Sequence, residues 1–463
     1  MMETIKPIRV TQDHLGHKPW LKSKSLFWIS SLLLFAAVLS FFGTNSANNA
    51  SGQTVSATVT EKASTAGAFH NDAGAVISWS DAERALLKTL SLSNLPKVPL
   101  DPSNQYIGNP DAIAFGQQLF FDPGLSQTGT VSCSSCHQPQ RHFSDGMQVA
   151  SGIKPGTRNT PSLLGSAYQQ WFFWDGRKDS AWSQALEPFE NPNEHNLTRI
   201  EVIQKVLGDK HYYPRYQAIF ADAPTAEVFA TWPSDATPKG DINSLKKWKS
   251  LSLESRQQIN RIYANIGKSI AAFEATLKFP ESRFDQFVQQ LSLMDQQAND
   301  NAAAGSNEKP ALSMTEQQGL KLFLGKASCV SCHHSALLSS QHFQNIGTGV
   351  RGKDMGRSQV AEAQAWDEFN CLGAYSDAPK EACKNLKFMS KNRHELAGNF
   401  KVPTLRNIAK TAPYMHDGRF KTLQEVVGFY VNPPSQRLTG HHLPKIDLND
   451  KEVSQLIAFL KAL

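Results

Sequence analysis

The chain has 463 residues, of which 40% are hydrophobic and 10% aromatic. That is enough for real cores, it excludes a disordered or collagen-like chain, and the length points to two or three domains. The net charge of +6 is concentrated at the start: the first 25 residues hold five bases (Lys6, Arg9, Lys18, Lys22, Lys24) against two acids (Glu3, Asp13), which leaves 42 against 39 in the rest. A near-neutral body lacks the concentrated basic face of a nucleic-acid binder, and that class is set aside.

Behind the basic start, Leu26 to Phe42 form 17 residues without a charge, and no charge follows until Glu61. This is the short limit of a membrane span and slightly long for the apolar part of a signal peptide. The preceding bases place the N-terminus in the cytoplasm and everything after Gly43 outside. The expectation is a cytoplasmic segment over 1–25 and an anchor over 26–43 that tethers a periplasmic protein to the inner membrane. Cleavage near Val55-Ser56-Ala57 is the alternative. A buried soluble helix fits poorly, because the run has no polar stripe. Residues 44–78, mostly Ser, Thr, Ala, Asn and Gly, read as a flexible tether.

The next segment carries Gly116-Gln-Gln-Leu119-Phe120 on a helix-like run, followed by Cys133-Ser-Ser-Cys136-His137. The same sequence of features returns as Gly319-Leu-Lys-Leu322-Phe323 and Cys329-Val-Ser-Cys332-His333, with a helix start at Ser313 or Thr315. CxxCH is the attachment signature of c-type haem: two thiols a helical turn apart form thioethers with the vinyl groups, and the adjacent imidazole ligates the iron. A structural zinc pair would need converging ligands and no His after each second Cys. A redox dithiol would sit in a βαβ context, and no such pattern is present. Two covalent haems are expected, on Cys133, Cys136, Cys329 and Cys332, with His137 and His333 as axial ligands.

Between the motifs, 232–250 is rich in Lys, Ser, Trp and Pro and reads as an insertion. Ile259, Ile262, Tyr263, Ile266, Ile270 and Phe273 mark an amphipathic helix, and 295–312 reads as a linker. At the end, Val453, Leu456, Ile457, Leu460 and Leu463 recur at helical spacing, as the C-terminal helix that crosses an N-terminal one in cytochromes c. No strand pattern stands out, so the fold is mainly α. Its expected parts are a first haem domain over 79–231, a segment of insertion, bridging helix and linker over 232–312, and a second haem domain over 313–463. The remaining cysteines, Cys371 and Cys383, lie 12 apart in a Gly/Pro/Asp-containing loop. In an oxidising compartment a disulfide is the default, and two free thiols are the alternative.

Two haems admit two kinds of function. In an electron carrier both irons are six-coordinate; in an enzyme one keeps an open face for oxygen chemistry. The residues around the motifs resemble the bacterial di-haem cytochrome c peroxidases. The first half carries Leu119-Phe-Phe-Asp-Pro-Gly-Leu-Ser126, Phe143-Ser-Asp-Gly146, Arg158-Asn-Thr-Pro161 and Phe173-Trp-Asp-Gly-Arg177. The second carries Val402-Pro-Thr-Leu-Arg-Asn-Ile408 and Ala412-Pro-Tyr-Met-His-Asp-Gly418. The resemblance covers about residues 80–463, apart from the insertion.

Two positions place the chain within that family. Ordinary members carry a His eight residues before the Asn of the Arg-Asn phrase, as a removable cap on the first haem; here the position holds Ser151. They carry a Met 14 residues after the His of the His-Asp-Gly phrase, as a cap on the second; counting from His416 gives Tyr430. Tyr at that position is the mark of the MauG-like branch, which uses peroxide to oxidise Trp or Tyr of a partner protein.

The resemblance further implies Glu194 as the carboxylate over the open iron, with Gln184 orienting it and Pro188 in the same pocket. It implies Trp174 between the haems, a ferryl species at the first iron, and storage of the second oxidising equivalent at the second. Its calcium would be held by Asn159, Thr411 and Pro413. Expected partners are hydrogen peroxide and either a protein donor, a small cytochrome c or copper protein, or a protein substrate. His142, His334, His342, His441 and His442 receive no role, and Met415 and Met389 are the alternatives to Tyr430.

Overall fold

The structure, a computed structural model, describes residues 69–70, 76–299, 309–349, 353–436, 440–441 and 443–463. The expected cytoplasmic segment, the anchor and nearly all of the tether lie outside these residues. Among the described residues no helix is long and apolar enough to cross a membrane.

The described chain is mainly helical, and its helices start where capping chemistry dictates. Helix α1 (Asp81–Leu90) opens with a reciprocal Ser80–Glu83 capping box, and α2 (Pro110–Phe121) opens on the Asn109 side chain with Pro110 in its first turn. After the one-turn α3 (Cys133–Cys136) come α4 (Ala181–Glu190), α5 (Arg199–Leu207), α6 (Tyr212–Ile219), α7 (Ala226–Phe229) and α8 (Ile242–Ser250). The long α9 (Leu253–Glu274) and α10 (Arg283–Asn299) follow. Helix α11 (Met314–Leu324) is capped by Ser313 and Glu316, which decides between the two expected starts. The rest of the chain adds α12 (Ala361–Gln364), α13 (Lys384–Phe388), α14 (Leu423–Val431) and α15 (Asp450–Leu460), the last two again with capping boxes.

Two apolar cores result, and they follow different boundaries from those the sequence suggested. In the first, α9 packs on α2, α4 and α5, and Phe115, Leu119, Trp182, Ile200, Tyr263 and Ile266 are fully buried or nearly so. Trp232, Ala236 and Trp248 of the expected insertion belong to the same core. Of the stretch 232–312, Trp232 to α9 packs in the first core, and Phe284, Phe287, Leu291 and Leu312 pack in the second. Within it, the apolar stripe of α9 covers α2 and α4. The second core joins α11, α14 and α15 to α1 and α10: Leu87, Leu90, Phe284, Phe287, Phe323 and Phe459 pack there. Helix α1 thus serves the second haem unit, although the expected first domain begins at residue 79. Residues 283–299, partly assigned to the linker, are a helix of that second core as well.

Each core is built around the same device. A methyl group on Gly116 would stand 1.8 Å from the Ser269 carbonyl oxygen, and one on Gly319 would stand 2.0 Å from that of Gln455. Both glycines let two helix backbones touch, α2 on α9 and α11 on α15. The expected crossing of N- and C-terminal helices therefore occurs twice, with α9 as the first unit's partner.

Strands exist where none was expected, as two antiparallel pairs of two residues each: Phe69–His70 with Val76–Ile77, and Phe343–Gln344 with Phe400–Lys401. Two residues are too short to leave a period-2 signature. Cys371 and Cys383 are joined in a disulfide, the default that the oxidising compartment suggested.

Candidate active site

The two CxxCH segments fold alike. In each a single helical turn closes with the His amide donating to the first Cys carbonyl at 2.9 Å, for His137 and for His333. The Nδ1 of His137 lies 3.0 Å from the Phe143 carbonyl and that of His333 3.0 Å from the Leu338 carbonyl. Such a bond fixes the ring and presents Nε2 to a metal. Burial pushes both imidazoles below their ordinary pKa, His333 to about 4, so the lone pair is available. None of the four motif thiols is in a disulfide. Among the described residues no three His, Cys, Asp or Glu converge as a metal site, which leaves the zinc reading without its ligands.

A predominantly apolar cavity of about 460 Å³ extends from Cys329, Cys332 and His333 to His137. Its size falls within the roughly 300–1,000 Å³ of sites that bury a cofactor-sized ligand. With two thiols and an oriented imidazole at its wall, the donor set fits a covalent haem c. Helix α14 turns Leu423, Val426, Val427 and Tyr430 toward this space, one stripe at helical spacing. Burial, with the nearby Cys329 and Cys332 thiols, pushes the Tyr430 phenol well above its usual pKa. Met415 also borders the cavity. Met389 does not; its sulfur accepts from Arg357 Nη2 at 3.5 Å.

Trp174 lines the same cavity. Its indole N–H donates to the Asn159 carbonyl at 2.9 Å, and its own carbonyl accepts from the Lys401 amide at 2.8 Å. Asn159, Thr411 and Pro413 also border this cavity, and the Asn159 amide nitrogen donates to the Met147 carbonyl at 2.8 Å.

The first motif also opens on a smaller cavity of about 50 Å³, lined among others by Cys133, Cys136, His137, Gln184, Pro188 and Glu194. Gln184 and Pro188 lie one turn apart on α4. Glu194 follows in a tight loop held by its own backbone: its amide donates to the Asn191 carbonyl at 3.0 Å, and its carbonyl accepts from Ile153 at 3.2 Å. Asn191 Nδ2 donates to Glu194 Oε1 at 2.6 Å. Desolvation raises the pKa of this carboxyl, with nearby Arg177 opposing and Glu187 reinforcing the shift. Ser151 sits beside the attachment site, its carbonyl 3.8 Å from Cys136 Sγ. The other imidazole on this cavity, His195, has its Nδ1 2.6 Å from the Leu125 carbonyl.

Several site residues went unnoticed in the sequence. Lys401 is half-buried beside the large cavity; its ammonium donates to the Trp171 carbonyl at 2.8 Å and to Gln169, and desolvation lowers its pKa to about 7. It directly precedes the Val402-Pro403 phrase, which was a usable signal. Arg158 clamps Asp175 at 2.6 Å and grips both oxygens of Asp354 at 2.8 and 2.9 Å. Asp354 lies in a stretch without any motif, so nothing in the sequence announced that contact. Among the unassigned histidines, His441 is buried against the Pro434 carbonyl at 2.6 Å; His442 lies outside the described residues.

A helical protein with two CxxCH segments, each with an oriented imidazole, and one continuous cavity between them is a di-haem c-type protein. The sequence pattern of the di-haem cytochrome c peroxidases matches residues 110–292. The cytochrome-c peroxidase IdrP1 of Denitromonas iodatirespirans is 30% identical over 84% of this chain and 90% of its own. The methylamine utilization protein MauG of Methylorubrum extorquens is 27% identical over 84% of this chain and 88% of its own. The crystal structure of a MauG-like protein associated with microbial copper homeostasis superposes with a TM-score of 0.53 at 25% identity, covering 80% of this chain and 94% of that one. The chain belongs to the di-haem cytochrome c peroxidase/MauG family and is a peroxidase-type oxidoreductase; the family's two haems match its two attachment motifs.

Proposed function

We propose that the protein is a peroxidase of the MauG-like branch that reduces hydrogen peroxide at its first haem and draws electrons through the second. The observation that carries this reading is Glu194, held by Asn191 on the cavity beside Cys133 and His137, with Gln184 one wall away. When bound, haem supplies the iron at which the O–O bond breaks and the redox couple that passes electrons. Cleavage needs a proton moved from the inner to the outer oxygen of peroxide. With Oε1 engaged by Asn191, Glu194 offers Oε2 to take that proton and return it. Gln184 keeps the carboxylate facing the reacting atoms, and Pro188 keeps the wall apolar.

Trp174, fixed at its N–H by the Asn159 carbonyl and at its own carbonyl by the Lys401 amide, would serve as an oxidisable bridge between the haems. Tyr430 and His333 are the residues that would hold the second haem's iron, and an anionic oxygen ligand there would favour the oxidised metal and so the storage of oxidising equivalents. The electrons come from a small cytochrome c, a copper protein, or the Trp or Tyr side chains of a partner. Asn159, Thr411 and Pro413 would hold a calcium ion, the first by its side-chain oxygen and the other two by their carbonyls. The site works in the periplasm, tethered through residues 26–43; membrane fractionation tests that part.

Glu194→Gln decides the core of the proposal. The variant keeps its two haems and its fold, and its reaction with peroxide slows by about 10²–10⁴-fold. An unchanged rate removes Glu194 from the mechanism.

A further inference from the structure

Helix α9 ends at the first haem site on an acid that the proposed chemistry has not used. Ile270 and Glu274, one turn apart, both line the small cavity that Glu194 enters. The Glu274 residue is only 4% exposed. Its Oε2 is buried without a hydrogen-bond partner, and among the described residues no cation pairs with the carboxyl. Other buried acids are paired with cations, Glu190 with Arg199 at 2.9 Å and Asp175 with Arg158 at 2.6 Å; Asp179 leaves Oδ1 unpartnered too, but its Oδ2 accepts from the Cys371 amide at 2.8 Å. An unpaired carboxylate in such a place costs several kcal/mol, so the group is held in its neutral acid form.

Two local features enforce that state. Desolvation raises the pKa of Glu274 to about 8. The residue also occupies the last position of the 22-residue α9, where the negative end of the helix dipole opposes a further negative charge. The titratable groups that face the same cavity are Glu194, His195, His137 and the two thiols of the motif. The first three are bonded elsewhere, to Asn191, Leu125 and Phe143. On α9 itself, Lys268 is engaged by Asp377 at 2.7 Å.

The chemistry creates a need for such a group. Reducing peroxide to two waters consumes two electrons, from the protein donor, and two protons. Glu194 moves a proton from one peroxide oxygen to the other and supplies none net. We propose that Glu274 is a second acid of the first haem pocket, the group that delivers to it the protons consumed in each turnover. Its O–H bond breaks as the proton passes, through pocket water, to an oxygen leaving as water; the resulting carboxylate regains a proton from solvent. The inference rests on the peroxidatic reading of the first haem.

The test compares the holoprotein with Glu274→Gln in three measurements. The infrared difference between the two, followed from about pH 5 to about pH 9.5, should show a protonated carboxyl band at neutral pH that disappears as pH rises through 8 and belongs to the parent only. The first equivalent of peroxide should react with the variant within about twofold of the parental rate, because Glu194 conducts that step. Steady-state turnover with excess donor should fall by about tenfold or more. No difference band, full turnover, or loss of covalent haem from the variant overturns the inference, the last by making Glu274 a structural residue. If instead Glu194→Gln leaves the first peroxide reaction untouched, the peroxidatic reading itself has failed, whatever Glu274 does.

Discussion

Replacing Gly319 with Ala tests the crossing on which the second haem unit is built. The added carbon would lie 2.0 Å from the Gln455 carbonyl oxygen, 2.6 Å from its carbon and 2.8 Å from Phe459 Cβ, where ordinary contact begins at 3.4 Å. Two of the three obstacles are backbone, so no rotamer change relieves them, and α11 and α15 must separate by about 1.4 Å. That opens the packing of Phe459 against Phe323 and Phe284, now at 5.3 and 5.7 Å between ring centres. Overpacking of this kind costs about 3 kcal/mol, and the better helix propensity of Ala returns about 1 kcal/mol.

The expected net loss is therefore about 2 kcal/mol, measured by urea unfolding of the holoprotein. The second haem's optical spectrum should shift as well, since Leu456 and Leu460 of α15 line its cavity. Gly428 is the internal control: a methyl there meets nothing within 4 Å, so Gly428→Ala should be neutral or stabilise by about 0.5 kcal/mol. Equal effects at the two glycines would refute the reasoning.

Three other perturbations address the site. Tyr430→Met should raise the potential of the second haem and abolish storage of an oxidising equivalent there; optical and EPR spectra identical to the parent's would show that Tyr430 is no ligand. Trp174→Phe keeps the aromatic packing but removes the N–H to the Asn159 carbonyl, and should slow electron transfer between the haems by about tenfold or more in stopped-flow traces. Chelation of divalent cations should weaken communication between the haems without releasing either one, and Asn159→Ala should reproduce the effect; indifference to chelator removes calcium from the account.

What the sequence revealed and what it hid have physical causes. The haem motifs are local: the functional groups lie within five consecutive residues, and one helical turn sets their geometry. Glu194, Gln184, Trp174 and Tyr430 were singled out within long ordered phrases; in the structure Glu194 and Gln184 line the small cavity, and Trp174 and Tyr430 line the large one. Packing partners were much less legible. The stripe of α9 announced an amphipathic helix but not which surface it covers, so the first core's central helix read as a connector. Helix α1 precedes the first motif in sequence yet packs in the second core, a pairing over 211 residues where Arg84 of α1 meets Asp295 of α10 at 2.9 Å. The Arg158–Asp354 clamp and Lys401 escaped for the same reason: their meaning lies in contacts between distant segments.

EPR and optical spectra of the fully ferric protein, before and after one equivalent of peroxide, test the central claim most directly. The account predicts one high-spin five-coordinate haem and one low-spin six-coordinate haem at rest, with both sets of signals changed by peroxide and the high-spin signal lost. Two low-spin six-coordinate haems that ignore peroxide would contradict it and leave an electron carrier in its place.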